Sequence, residues 1–154
     1  MSLAYLDTSA IVKLYVAETG SDWLRALLGS PGTPTMLTSH LTAVEAPCAF
    51  ARRRREGSLS PRDCVLVLAA FDHDAAYHFN ILDVQAEVVN KARDLAGRHP
   101  LRAYDAVHLA TAWLANRSLV QAGQSPLTFV CADDVLLSIA QAEGMLVDNP
   151  NNYA

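Results

Sequence analysis

One stretch near the N-terminus decides the fold class of this 154-residue chain: Leu3-Ala4-Tyr5-Leu6-Asp7-Thr8-Ser9-Ala10-Ile11-Val12. A short apolar run ends at an acid, and hydroxyl residues and a second apolar pattern follow. This order is typical of a buried strand that leads into a helix. Ligands of open α/β sheets gather at the carboxyl ends of strands, so Asp7 is a candidate site residue. Taken alone, Asp7 is better interpreted as the N-cap of a helix that begins near Thr8.

Strands and helices alternate along the rest of the chain. Short apolar runs predict further strands near residues 35–38, 79–84, 127–131 and 145–147, and apolar residues at helical spacing predict helices between them. The alternation predicts an α/β fold with a mostly parallel sheet of four to five strands and helices on both faces. We expect a single domain over residues 1–148 and a short polar C-terminal tail over residues 149–154.

The helix that follows the second strand carries a proline. It begins near Ser39, and Pro47 removes a backbone donor inside it, so we expect the helix either to be kinked or to begin at Pro47. Its expected buried stripe consists of Leu41, Val44, Cys48 and Ala51.

Composition excludes several classes of protein. The chain is 51% hydrophobic and 18% charged, which is typical of a globular domain rather than a disordered one. No apolar run is long enough to span a bilayer and no secretory signal is present, so we expect no membrane partner and a cytoplasmic location. The net charge of −4 argues against a protein that coats nucleic acid nonspecifically. The three scattered cysteines predict neither disulfides nor a zinc site, and we expect them to be small core residues.

Four carboxylates share one placement, each directly after a predicted strand or in the first turns of a predicted helix: Asp7, Glu45, Asp105 and Asp133. Acids are common at helix starts without any catalytic role. Glu45 and Asp105, however, do not lie at cap positions. If all four converge, their mutual repulsion favours a hard cation between them. A site of oxygen ligands suits Mg²⁺ or Mn²⁺ rather than zinc, and such ions activate water against phosphate esters.

These residues resemble the PIN-domain family, and more specifically the VapC-type toxins of VapBC toxin–antitoxin pairs. The matching stretches are residues 6–15, 39–45, 101–112 and 129–133, in the family's order. No single stretch is specific, but together they span nearly the whole chain. The resemblance implies a Rossmann-like three-layer α/β/α sandwich in which Asp7, Glu45, Asp105 and Asp133 match the acidic metal-binding quartet.

The resemblance also implies a function and partners. It implies a Mg²⁺- or Mn²⁺-dependent endoribonuclease of a type II toxin–antitoxin system, with RNA as substrate, a cognate VapB-like antitoxin and a homodimer. The alternative is a noncatalytic PIN module that binds RNA or an antitoxin, and the intact acids favour the enzyme. Cys131 stands where the family usually carries Thr or Ser. Asp134 competes with Asp133 as the fourth ligand, and the alignment with the family motif favours Asp133.

Other chemistry-bearing residues are interpreted more simply. The run Arg52 to Arg55 spans every face of a helix end, so we expect most of these arginines to be solvated and one or two to guide RNA phosphates. His108 is interpreted as a core or hydrogen-bonded histidine, although it lies close enough to Asp105 to reach the site. The pair His73-Asp74 resembles the metal-binding pair of HD phosphohydrolases but lacks that family's further histidines. For Trp23 and Trp113 we favour core or dimer contacts over base stacking.

Overall fold

The computed structural model describes residues 2–153. Within that range the elements are, in chain order, β1 Leu3–Leu6, α1 Thr8–Tyr15, α2 Ser21–Gly29, β2 Thr35–Ser39, α3 Thr42–Arg55, α4 Pro61–Tyr77, β3 Asn80–Leu82, α5 Ala86–Arg98, α6 Ala103–Gln121, β4 Thr128–Val130, α7 Asp134–Ala142, β5 Leu146–Asp148 and a 3₁₀ turn Pro150–Asn152. The predicted strands are all present, each within three residues of its expected bounds.

The five strands form one parallel sheet in the order β3-β2-β1-β4-β5, which confirms the predicted sheet. β1 lies at its centre, where Ala4 pairs with Met36 of β2 on one side and Thr128 of β4 on the other. From β1 the chain adds β2 and β3 on one side, and then β4 and β5 on the other, so the strand order reverses between β1 and β4. In open α/β sheets the crevice outside the carboxyl ends of the strands at such a reversal is where ligands bind.

Helices cover both faces of the sheet, as the three-layer prediction requires. Side chains alternate along β1, so that Tyr5 points to one face while Ala4 and Leu6 point to the other. The face with Tyr5 packs against α5, α6 and α7, and the opposite face packs against helices α1 to α4. The site residues that follow β1 and β4 therefore lie between two helical layers.

Helix α3 begins at Thr42 and passes through Pro47, so the alternative that it begins at Pro47 is wrong. A proline at this position cannot donate to the carbonyl of Ala43. Because Ala43 is exposed, water can satisfy that carbonyl. The continuous helix keeps Glu45, its fourth residue, next to the carboxyl end of the sheet.

The expected buried stripe of α3 is also wrong. The buried residues are Thr42, Ala46 and Phe50, whereas Val44 is 62% exposed and Cys48 is exposed as well. Both sets recur at helical spacing, so the pattern alone does not separate them. Phe50 decides the outcome, because it packs edge-on against Phe71 and Tyr15 in the core.

The three cysteines differ in burial: Cys131 is buried, Cys64 is partly buried and Cys48 is exposed, so the expectation of three core cysteines is wrong for Cys48. All three are free thiols. No helix within residues 2–153 has the length and apolar character needed to cross a membrane.

The residues after β5 fold back onto helix α2. Asn149 and Pro150 are buried, and the ring of Tyr153 stacks on Trp23 with 4.1 Å between centroids. Gly20 adopts a φ of 82°, and a Cβ there would lie 2.2 Å from the carbonyl oxygen of Pro150. This close approach requires glycine, and it locks the C-terminal segment against the start of α2.

Candidate active site

The four predicted acids line one cavity of about 640 Å³ at the carboxyl ends of the strands. Asp7 follows β1, Glu45 lies in the first turn of α3, Asp105 lies in the first turn of α6, and Asp133 connects β4 to α7. Four elements that are distant in sequence therefore each deliver one carboxylate to the same space.

Asp7 is held by hydrogen bonds from three sides. Its Oδ1 accepts from the Ser9 hydroxyl at 2.7 Å and from the Ala10 backbone N–H at 3.1 Å, while Cys131 Sγ donates to Oδ2 at 3.3 Å. Asp7 is thus the N-cap of α1 and a cavity residue at once. Burial raises the pKa of Asp7, although the nearby His108 and the Ser9 bond oppose that shift.

Asp133 is the N-cap of α7. Its Oδ1 accepts from the backbone N–H groups of Val135 and Leu136 at 2.9 and 3.1 Å. The neighbouring Asp134 turns elsewhere, because its Oδ1 accepts from the side-chain amide of Asn149 at 2.6 Å. Asp133 lines the cavity, whereas Asp134 ties α7 to the C-terminal segment.

Glu45 is oriented by a buried histidine. Its Oε1 lies 2.5 Å from Nε2 of His108 and accepts a hydrogen bond from the Thr8 hydroxyl at 3.0 Å. Partial burial opposes ionisation, but the bond from His108 lowers the pKa of Glu45. The expectation of a hydrogen-bonded core histidine is confirmed, since His108 is 2% exposed, and the same ring also contacts a candidate site carboxylate.

The tautomer of His108 follows from its partners. A carboxylate only accepts, so Nε2 donates to Glu45. In the neutral ring Nδ1 is then the acceptor for the Tyr5 hydroxyl, 2.9 Å away. Burial and the nearby Asp7 raise the pKa of Tyr5 well above its ordinary value, which keeps its proton available for this bond.

A chain of threonines supports the same carboxylate. Thr8 Oγ1 lies 3.3 Å from Thr42 Oγ1, which lies 2.8 Å from Thr38 Oγ1, and Thr38 donates to the Leu6 carbonyl at 2.9 Å. Sequence reasoning missed this chain. The signal for it is weak, because hydroxyl residues after a strand also read as helix caps.

The charges of neighbouring side chains shift the pKa of Asp105. Burial raises its pKa, the positive charge of Arg102 lowers it, and the negative charges of Asp133 and Glu45 raise it again. The Arg102 Nε atom lies 3.4 Å from Asp105 Oδ2, and Arg102 is strongly exposed. Asp133 and Glu45 therefore both disfavour the charged form of Asp105.

The donor set of the cavity fits a hard divalent cation. All four candidate ligands offer oxygen atoms, which is the ligand type that Mg²⁺ and Mn²⁺ prefer. The acids are spread around the cavity. Within residues 2–153, the one group of three acid, histidine or cysteine ligands with donor atoms all within 4.8 Å of one another is elsewhere: His73, Asp74 and His78. The set of four acids still suits Mg²⁺, which keeps several of its waters and takes few direct protein ligands.

Arginines line the same cavity. Arg52, Arg53 and Arg55 of α3 contribute to its wall together with Arg102. Arg53 donates at 2.6 Å to the partly buried Glu18, which also pairs with the buried Lys13. Arg52 and Arg55 are exposed, as expected for solvated arginines, and both line the cavity that holds the acids.

Comparison with known proteins identifies the family. The PIN domain family model matches residues 4–125. The chain belongs to the PIN-domain family. This PIN domain is 34% identical over 149 residues to Ribonuclease VapC35 of Mycobacterium tuberculosis, covering 96% of this chain and 97% of the relative. It is 36% identical over 115 residues to Ribonuclease VapC49 of the same species, covering 73% and 76% of the two chains.

A solved structure agrees with the fold of this PIN domain. A chain of a toxin–antitoxin complex from Klebsiella pneumoniae superimposes with a TM-score of 0.61 at 19% identity and covers 96% of this chain and 97% of that chain. The family model and the VapC relatives confirm the predicted resemblance to VapC-type PIN domains. The family model ends before Asp133, so the position of Asp133 beside the other acids rests on the cavity itself.

Proposed function

We propose that this PIN domain is a metal-dependent endoribonuclease toxin of a type II toxin–antitoxin system. It hydrolyses RNA phosphodiester bonds at the quartet Asp7, Glu45, Asp105 and Asp133. The observation that carries the proposal is the delivery of these four acids by four separate elements to one cavity. Its similarity to VapC ribonucleases over nearly the whole chain supports the reaction class.

The quartet would hold Mg²⁺ or Mn²⁺, and the bound cation supplies an activated water and neutralises charge on the phosphate. The chain's own residues fix the carboxylates beforehand. Ser9 holds Asp7, the first amides of α7 hold Asp133, and His108 holds Glu45. Such fixed groups need little rearrangement when charge develops in the reaction, and this is the main source of electrostatic catalysis.

The arginines on the cavity wall would attract and orient the RNA backbone. Arg52 and Arg55 stand on the α3 side, and Arg102 stands at the start of α6 beside Asp105. The net charge of −4 means that this attraction is local rather than a property of the whole surface. RNA is therefore held where its phosphate meets the acids.

A cognate VapB-like antitoxin and a second copy of the chain are the proposed protein partners, in the cytoplasm. The structural similarity to a chain of a toxin–antitoxin complex supports the antitoxin. Helices α3 and α4 expose the apolar side chains of Val44, Val65 and Leu66, which suits a covered surface. A monomeric mass by light scattering at micromolar concentration contradicts the homodimer.

The direct test is cleavage of structured RNAs in Mg²⁺, with and without EDTA, by wild type, Asp7→Asn and Asp105→Asn. We expect cleavage only by wild type with metal. Cleavage without metal, or cleavage that survives both substitutions, contradicts the mechanism. Binding of RNA or of an antitoxin without cleavage by wild type supports the noncatalytic alternative.

A further inference from the structure

A second cluster of potential metal ligands lies away from the acids, at the C-terminal end of α4. His73 and Asp74 belong to the last turn but one of the helix, and His78 is its C-cap. One donor atom from each of the three lies within 4.8 Å of the others. The helical spacing explains the approach, because the His78 N–H bonds to the Asp74 carbonyl at 2.8 Å and residues four apart lie on the same helix face.

Asp74 is the fixed member of this cluster. Its Oδ2 accepts a hydrogen bond from Tyr15 at 2.7 Å, and Oδ1 lies 3.9 Å from Nε2 of His78. The Tyr15 ring is itself held edge-on between Phe50 and Phe71 in the core, with centroids 5.9 and 5.8 Å away. One carboxylate oxygen is therefore anchored to the core while the other faces the histidines.

The anchoring hydrogen bond is a stable one. The Tyr15 hydroxyl is a donor to the acceptor-only Asp74 carboxylate, and its ring is fixed in the core. A partner of this kind, which holds a ligand carboxylate in place, is a regular feature of protein metal sites. His73 and His78 are exposed, and their rings lie 5.6 Å apart, so both can turn toward a shared ion.

We propose that His73, Asp74 and His78 form a transition-metal site that takes Zn²⁺ in preference to Mg²⁺. Two imidazoles and one carboxylate are typical ligands of zinc, whereas Mg²⁺ prefers oxygen alone. Three protein ligands leave a fourth tetrahedral position for water or an external ligand. The Coulomb attraction between Asp74 and a divalent ion adds to the two imidazole bonds.

The site opens onto a cavity separate from the one that holds the acids. Asp74 and His78 line a space of about 630 Å³ together with Thr35 and Asn80, the first residues of β2 and β3. The acids lie at the carboxyl ends of the strands, so the two cavities are at opposite ends of the sheet. All three ligands belong to α4 and its C-cap, so bound zinc would fix the end of this helix. This inference does not depend on the nuclease activity.

The test is Zn²⁺ titration of the metal-free full-length chain by calorimetry, in millimolar Mg²⁺ to occupy the acid cavity. We expect one equivalent of Zn²⁺ to bind to wild type and to raise its Tm, because a ligand that binds only the folded state stabilises it. We expect His73→Ala, His78→Ala and Asp74→Asn each to weaken binding at least about tenfold, since each removes one of three ligands. Co²⁺ in place of Zn²⁺ supplies a visible absorption spectrum that reports nitrogen ligation.

Two controls separate this site from others in the chain. His40, an exposed histidine that lies 3.1 Å from Asp83, serves as the matched control, and His40→Ala keeps wild-type affinity. The Asp7→Asn/Asp105→Asn double variant also keeps it, because the acid cavity is not involved. Zinc affinity that is unchanged in both His73→Ala and His78→Ala, or that is lost in the acid double variant, overturns the proposal.

Discussion

His108 Nε2 lies 2.5 Å from Glu45 Oε1, so a buried ring from α6 holds a carboxylate from α3 at the carboxyl ends of the strands. The opposite ring nitrogen is fixed by the Tyr5 hydroxyl from β1. Three elements are thereby joined by two hydrogen bonds. Glu45 lies at no helix cap, so the side chains of His108 and Thr8 orient it rather than backbone amides.

Replacement of His108 tests this positioning role. We expect His108→Ala to lower RNA cleavage about 10- to 100-fold and to raise the Mg²⁺ concentration needed for half activity, as loss of a residue that holds a metal ligand typically does. His108→Gln places an amide N–H near the position of Nε2 and should recover part of the loss. Cleavage rates across a Mg²⁺ titration measure both effects, and full activity in His108→Ala contradicts the role.

Most mutations destabilise a protein, but the buried charge of Asp7 predicts that its replacement by Asn stabilises this one. Its folded-state pKa is raised, so the carboxylate is less favourable in the folded than in the unfolded chain without metal. In EDTA at pH 7 we expect Asp7→Asn to raise the Tm, by about 2–4 °C for each kcal/mol gained. Wild type should gain stability as the pH falls through the folded pKa of Asp7, and the variant should gain less.

Addition of Mg²⁺ should make wild type more stable than Asp7→Asn, the reverse of the order expected in EDTA. The cation binds the folded wild type and raises its Tm, while Asp7→Asn has lost a ligand and responds less. Thermal denaturation followed by circular dichroism gives the Tm of wild type and of Asp7→Asn, each in EDTA and in Mg²⁺. A variant that is less stable than wild type in EDTA shows that the hydrogen bonds of Asp7 outweigh its buried charge.

An ion-pair cluster between α5 and α7 predicts that the protein loses stability as the pH falls into the acid range. Glu143 accepts from Arg98 at 2.6 Å and from His99 at 2.7 Å, and the Arg98 bond lowers the pKa of Glu143. A lowered folded pKa stabilises the protein above the unfolded value near 4.5, and this stabilisation is lost as the pH falls through the folded value. Because Arg98 is about half exposed, we expect Glu143→Gln to cost about 1 kcal/mol at pH 7.

Urea unfolding at several pH values checks this prediction. The difference between wild type and Glu143→Gln should be full at pH 7 and should vanish below the folded pKa of Glu143. Glu87→Gln, in the exposed first turn of α5, serves as the control and should change stability little at either pH. A difference that persists in strong acid points to packing rather than charge.

Much of this fold was readable from local pattern. The apolar runs predicted all five strands, and the apolar residues Leu136, Leu137, Ile139 and Ala140 of α7 are buried. The N-cap interpretation of Asp7 is also correct. These features depend on residues close in sequence, where period and capping chemistry act directly.

Features that depend on distant residues could not be read in this way. The buried face of α3 is decided by the aromatic contacts of Phe50 with α1 and α4, not by the hydrophobicity of α3 itself. The apolar residues Val44 and Cys48 line the acid cavity instead. The contact of His108 with Glu45 spans 63 positions and leaves no local trace. The convergence of the four acids was predicted only because a family resemblance supplied it.

The stacked pair of Trp23 and Tyr153 tests the expected domain boundary. Their rings are 2° from parallel, and aromatic pairs contribute about 0.5–1.5 kcal/mol beyond the area that they bury. We expect Tyr153→Ala to cost about 1 kcal/mol and deletion of residues 149–154 to cost more, because Asn149 and Pro150 are buried. Tyr77→Ala, at an exposed tyrosine, is the control. An unchanged free energy of unfolding after the deletion supports a dispensable tail.

The arginine run offers the sharpest test of RNA binding, because neighbours in sequence have different surroundings. Arg52 and Arg55 line the acid cavity, whereas Arg54 is exposed and lies outside that lining. In an Asp105→Asn background that does not cleave, we expect Arg52→Ala and Arg55→Ala to weaken binding of single-stranded RNA. The slope of log affinity against log salt is negative, and each lost phosphate contact reduces its magnitude by about 0.7.

Arg54→Ala is the matched control for that experiment, since it removes the same charge from the same helix end. Its affinity and its salt slope should stay near those of the parent. Arg53→Ala separates a structural role from a binding one, because loss of its bond to Glu18 should lower the Tm. If all four variants weaken RNA binding equally, the arginines act only through general charge, and the cavity wall does not guide the substrate.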